Sequence, residues 1–244
     1  MAEAIATKKV SKTESGHAKN IANFGALVNS VEDMGSAYNP SVADIKLANL
    51  KIIKTSLDKS LPAVFAAEAP YKLAVNARQT AFDGMGKLAT RVINALAVAG
   101  TDREIKDAKT ILNKIRGGKA IKPVDPAQDA KSKSTSQMSY DNRVSNFKEL
   151  TALLAAIPAY KPNEADLKVT ALNAYLDKLP GLGAAVNKTA LALTKARANR
   201  DQLLYAKGTG AVAISLKVKK YVKSMSGAAD PAYKKLSKIV FAAR

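Results

Sequence analysis

Apolar side chains recur along this chain at spacings of three and four. Ile21, Phe24, Val28 and Val31 form one such series, and Val144, Phe147, Leu150 and Leu154 form another. That spacing is the stripe of a helix with one buried face. The first series predicts a helix over about 17–35, the second a helix over about 140–157. A second pair of stripes follows: Ile45, Leu47, Leu50, Ile53 and Leu57, then Leu167, Val169, Leu172, Leu176 and Leu179. Each begins after a Tyr-x-Pro turn. Ser41 and Asn163 stand as N-caps with Asp44 and Asp166 in the first turn, where an acid favours the positive helix end. This capping role, rather than a catalytic pairing of Glu164 with Asp166, suits the spacing. Further stripes lie over 75–82 and 191–204, with Pro70 predicting a kink or break ahead of the first. Others cover about 85–98 and 211–225. Thr101 with Glu104 forms a capping box, and Asp230-Pro231 pairs an Asp cap with Pro at the first helical position.

The two lists are copies of one another. Ala37-Tyr38-Asn39-Pro40 matches Ala159-Tyr160-Lys161-Pro162, Asn23-Phe24 matches Asn146-Phe147, and Arg78 matches Arg200, all 122 or 123 positions apart. A period that long is a whole small domain rather than a solenoid unit. The expected fold is therefore all-α: two tandem homologous antiparallel bundles of four to five helices each, joined by a flexible linker. Residues 1–16 read as a disordered tail, 17–116 as the first bundle, 117–138 as a Pro/Ser/Lys-rich linker, and 139–244 as a strongly basic second bundle.

Composition agrees with helices. The chain has 244 residues, 47% of them hydrophobic with much Ala, and only 5% aromatic. There is no Cys, which excludes disulfides and thiolate chemistry. The start lacks an apolar core of signal-peptide length, and stretches such as 92–100 are too short to span a bilayer. A cytoplasmic protein without integral membrane association is the expectation.

Charge changes the picture more. The formal net charge is +19. Residues 17–116 carry 14 basic and 9 acidic side chains, whereas 139–244 carry 18 and 7. That asymmetry points to a polyanion-facing surface on the second bundle, the plainer reading being that Lys keeps an Ala-rich protein soluble. Along 215–224, Val218, Tyr221, Val222 and Met225 fall on one side of a helix. Lys219, Lys220 and Lys223 fall on the other, with Lys217 at the edge. Lys234, Lys235 and Lys238 follow on the next helix. These seven lysines are the candidate polyanion-binding residues, for phosphates rather than base edges, since aromatics and well-placed Arg and Asn are sparse there.

Catalytic, cofactor and metal sites are not expected. His17 is the one His, no Ser sits in an elbow motif, and no Glu-x-x-His pair marks a di-iron bundle. Gly117-Gly118-Lys119 and Gly208-Thr209-Gly210 lack the spacing of phosphate loops and read as helix ends or turns, as does Pro180-Gly181-Leu182-Gly183. Arg78 and Arg200 are either a twice-repeated polyanion contact or half-buried ties between helices; the apolar spacing around them favours ties.

Through Ser145-Asn146-Phe147, the run 160–167 (Tyr-Lys-Pro-Asn-Glu-Ala-Asp-Leu), the run 196–200 (Ala-Arg-Ala-Asn-Arg) and 221–224 (Tyr-Val-Lys-Ser), the chain resembles an uncharacterised bacterial family of tandem-repeat all-helical proteins. The resemblance spans nearly all of 17–244 and implies repeated helical domains, with no activity or site attached. The functional expectation is a non-enzymatic protein that binds nucleic acid, a nucleoprotein assembly or another polyanion through its second bundle. The alternative is a scaffold that binds proteins or self-assembles, its charge serving solubility.

Overall fold

A computed structural model describes residues 16–117 and 138–242. Among these residues the structure is all-α, without strands. α1 spans His17–Glu32, α2 Leu47–Asp83, α3 Met85–Ala99 and α4 Asp102–Arg116. Then come α5 Tyr140–Ala155, α6 Val169–Tyr205, α7 Ala211–Ser226 and α8 Pro231–Ser237. The expected linker, 117–138, lies outside the described residues except for its two ends, as does nearly all of the expected N-terminal tail.

The helix ends follow their capping chemistry. Thr101 accepts the Glu104 backbone N–H while Glu104 reaches back to the Thr101 N–H, closing the capping box of α4. Asp230 accepts from the N–H groups of Ala232 and Tyr233, with Pro231 opening α8. Gly117 ends α4 in the left-handed region (φ 72), where its missing Cβ removes the steric penalty.

Two expectations at helix boundaries are corrected. The break at Pro70 and the turn at 180–183 are absent, because α2 and α6 are each a continuous 37-residue helix. Pro62, Pro70 and Pro180 all lie on exposed positions, where a carbonyl deprived of its helical partner can be hydrated. Buried Leu57, Val64 and Phe82 on α2, and Leu179, Val186 and Leu193 on α6, hold the helices through them. Ser41 and Asn163 also do not cap the long helices, and Asp44 and Asp166 are not in their first turns. The two acids lie in 3₁₀ turns (Ala43–Ile45 and Ala165–Leu167), separated from the long helices by the extended residues Lys46 and Lys168.

The described residues group into two compact units, and the grouping cuts across the expected division into 17–116 and 139–244. One unit contains 16–69 and 191–242, the other 70–117 and 138–190. Both boundaries fall inside the long helices, between Ala69 and Pro70 and between Ala190 and Leu191. Each unit is thus assembled from the early elements of one half of the chain and the late elements of the other. A local hydrophobic period fixes a helix and its buried face. It does not say which other helix that face meets, and here each 37-residue helix serves both units.

In the first unit, α1 packs on α7 and α8 around Phe24, Leu27, Leu50, Leu57, Ile214, Val218, Val222 and Leu236. Asn20 clasps the backbone of Ala242 through both its amide groups (2.9 and 3.0 Å), and Asn23 donates to the Val240 carbonyl at 2.6 Å. In the second unit, α4 packs on α5 and α3 on α4 around Met85, Val92, Leu96, Ile115, Phe147, Leu150 and Leu172. The turns before α2 and α6 use the same device. Tyr38 donates to the Ile45 carbonyl at 2.6 Å and Tyr160 to that of Leu167 at 2.8 Å. Desolvation holds both phenols neutral, raising Tyr38 far above its usual range and pushing Tyr160 up to about 12.

Candidate functional site

The seven candidate lysines all belong to the first unit, on α7, on α8 or just after it. α7 buries Ile214, Val218 and Val222 against the core, which turns Leu216 and Lys220 outward. Met225, placed on the apolar side by its spacing, is instead 40% exposed. It lies in the last turn of α7, past the core contacts.

The structure divides the lysines into three groups. Lys217 pairs with Asp44 at 3.0 Å and Lys235 with Asp33 at 3.3 Å. All four of these side chains are substantially exposed, so each pair contributes only about 0–1 kcal/mol and opens readily to a competing anion. Lys219 stands apart. It is half-buried, donates to the Ile239 carbonyl and lies 5.6 Å from the Phe241 ring centre. Burial lowers its pKa. The segment held by Asn20 and Asn23 runs beside it, so the helical period that placed it on the polar side could not register the later chain covering it.

Lys220, Lys223, Lys234 and Lys238 form the third group. Each is exposed, and none has a carboxylate partner among the described residues. Lys220 and Lys223 lie one helical turn apart, as do Lys234 and Lys238. Lys223 sits 5.8 Å from the Tyr233 ring centre, which brings the end of α7 to the start of α8.

Charge divides by unit more evenly than by sequence half. The first unit's described residues hold 16 basic and 7 acidic side chains, the second's 15 and 9. Within the first unit the excess lies in 191–242, with 11 basic residues against Asp201 and Asp230. Asp33 and Asp44, which offset two of its lysines, come from the far end of the sequence.

The remaining sequence candidates fall into structural roles. Arg200, 9% exposed, donates through Nε and Nη2 to Asp201 at 2.9 and 2.7 Å. Arg78 lies 4.2 Å over the Tyr140 ring. Asp166 accepts two bonds from Arg91 at 2.5 and 3.2 Å, which lowers its pKa and leaves Glu164 without a carboxylate partner for acid–base work. His17 Nδ1 lies 3.1 Å from the Tyr205 hydroxyl and 3.7 Å from Asp201. Gly210 opens α7 where a Cβ would meet the Ala206 backbone nitrogen at 2.5 Å, so it serves a tight turn rather than a phosphate. Among the described residues no group of three His, Asp or Glu side chains could hold a metal, and no helix is long and apolar enough to cross a membrane.

No family model matches the chain, and no curated protein or solved structure shows significant similarity to it.

Proposed function

We propose that this chain is a non-enzymatic, basic helical protein of the cytoplasm that binds a polyanion, nucleic acid or a nucleoprotein assembly, through the lysine-bearing side of α7 and α8. The observation that carries the reading is the set Lys220, Lys223, Lys234 and Lys238: four exposed ammonium groups with no carboxylate partner among the described residues. Phosphates that meet such groups release condensed counterions, so affinity falls steeply with salt. Lys217 and Lys235 add to the face by exchanging an exposed carboxylate for a phosphate. The matched sequence motifs and the equal lengths of α2 and α6 support a further reading, that the two halves descend from one duplicated helical element.

The test is a titration of labelled duplex DNA and structured RNA across a salt series. Reversing Lys220, Lys223, Lys234 and Lys238 to Glu should flatten the salt slope by about 4, since each lost phosphate contact removes roughly 0.9. The control reverses four exposed lysines of the second unit, Lys106, Lys109, Lys148 and Lys178. Equal losses in both variants would remove the assignment to α7 and α8.

A scaffold role has its own support. Ile52, Phe65 and Leu191 of the first unit are 64%, 62% and 56% exposed. Self-association at micromolar concentration in sedimentation velocity, abolished by Phe65→Ser, combined with absent nucleic-acid binding, would replace the polyanion reading with this one.

A further inference from the structure

The second unit holds a cationic feature built from anchored rather than freely projecting groups. Arg78 of α2 lies over the Tyr140 ring (4.2 Å), and Arg143 of α5 lies over the Phe82 ring (5.3 Å). Tyr140 and Phe82 meet edge to face with centroids 4.7 Å apart. Two guanidinium groups thus bracket one aromatic pair, an arrangement that fixes their planes without neutralising their charge. Neither has a carboxylate partner among the described residues. The Nε of each is buried with no acceptor.

Arg143 has a structural task, since its Nη2 donates to the Phe82 carbonyl (2.9 Å) near the end of α2. That task accounts for one donor and leaves Nε unused. A buried donor without a partner is uncommon in folded proteins.

Arg143 also lines a cavity of about 470 Å³ together with Lys87 and Thr90 of α3, Arg116 of α4 and Asp83. That volume lies within the range of small-molecule sites. Ile115 and Met138 give it an apolar side. Lys87, Arg116 and Arg143 form no ion pair among the described residues, and Asp83 is the one acid in the lining. The lining therefore carries a net charge of about +2, complementary to a phosphate dianion.

We propose that this cavity binds a small phosphate-bearing anion, with Lys87, Arg116 and Arg143 as its charged donors. The inference does not rest on the polyanion reading. It concerns another unit and other residues, and a small anion rather than a polymer.

The probe is inorganic pyrophosphate, titrated into the full chain and followed by amide NMR and calorimetry. Saturable shifts are expected at Gly86, Lys87 and Thr90. Lys87→Gln with Arg116→Gln should weaken binding at least tenfold, while Lys109→Gln with Lys178→Gln, exposed lysines of the same unit outside the cavity lining, leaves it unchanged. Both cavity substitutions replace exposed side chains, and an unchanged thermal midpoint would verify that the fold is kept. The proposal is overturned if no saturable shift occurs below about 10 mM, a range weaker than ordinary ligand affinities. It is equally overturned if the cavity double variant binds pyrophosphate as tightly as the native chain.

Discussion

Replacing Phe147 by Ala tests how the two halves of the chain share their cores. Phe147 lies on α5, is fully buried, and meets Tyr175 at a ring separation of 5.9 Å. Truncating a buried Phe to Ala costs about 3–5 kcal/mol, and a site with no exposure belongs in the upper part of that range. About 4 kcal/mol corresponds to roughly a thousandfold rise in the local opening constant. The structure says where that rise falls. Phe147 shares its core with Met85, Val92 and Leu96 of α3 and with Ile111, Leu112 and Ile115 of α4. Native-state hydrogen exchange read on peptides should therefore show protection lost in Met85–Ala99 and Asp102–Arg116, and kept in Ala211–Ser226. Phe24→Ala should do the converse, loosening α7 and α8 while α3 and α4 keep their protection, since Phe24 shares its core with Ile214, Val218 and Leu236. If Phe147→Ala instead released α7 and left α3 protected, 139–244 would close on itself and the grouping described above would be refuted.

Three further outcomes follow from the same geometry. Cleavage at a protease site inserted between Pro126 and Ala127 should leave two fragments that co-elute under native conditions and part only in denaturant; two separately folded species would contradict the shared cores. Pro70→Ala should raise the thermal midpoint, since Pro inside a helix costs up to about 3 kcal/mol and this one is exposed; an unchanged or lower midpoint would show that the ring contributes packing. On the alkaline side, Tyr160 titrates near 12 in the folded chain against 10.0 for the free side chain, so its contribution is complete below pH 10 and is lost as pH rises through about 12. Tyr38 acts in the same direction, and site-resolved NMR showing either ring ionised well before the loss of helical circular dichroism would contradict that assignment.

The sequence patterns were informative where the physics is local. Stripes at three and four located the buried faces of α1, α5 and α7, and side-chain oxygens marked the starts of α4 and α8. Local rules failed where distant residues decide. Pro70 and Pro180 carry a strong helix-breaking signal, yet α2 and α6 continue through them, with buried Val64 and Phe82, and Leu179 and Val186, on either side. Asp44 and Asp166 look like first-turn acids of the long helices, but their partners, Lys217 and Arg91, lie 173 and 75 positions away. Lys219 shows the same limit at the candidate face. Its place on the helix wheel is polar, and only residues 239–241 make it a half-buried donor.

Those long-range pairs also determine what kind of object the lysine face is. Arg91 with Asp166 and Lys217 with Asp44 join an early helix-entry turn of one half to a late helix of the other, once in each unit. The lysines of α7 and α8 consequently stand on a core completed by Phe24, Leu27 and Leu50, more than 160 positions earlier in the chain. Two of the lysines are balanced by Asp33 and Asp44 from that same early segment. A basic C-terminal half is thus not a separable binding module. Removing residues 17–44 would expose the apolar sides of Val218 and Val222 and free Lys217 and Lys235 at once, raising indiscriminate anion binding while destroying the surface that orients it. Binding by residues 139–244 alone would therefore be uninformative about the face. The neutral substitutions Asp33→Asn and Asp44→Asn in the full chain separate the two effects, because they free the same two ammonium groups and leave the core intact. With the polyanion reading they should tighten binding, because no carboxylate then has to be displaced by phosphate, and steepen the salt slope by up to about 2. Unchanged affinity would place the phosphates elsewhere.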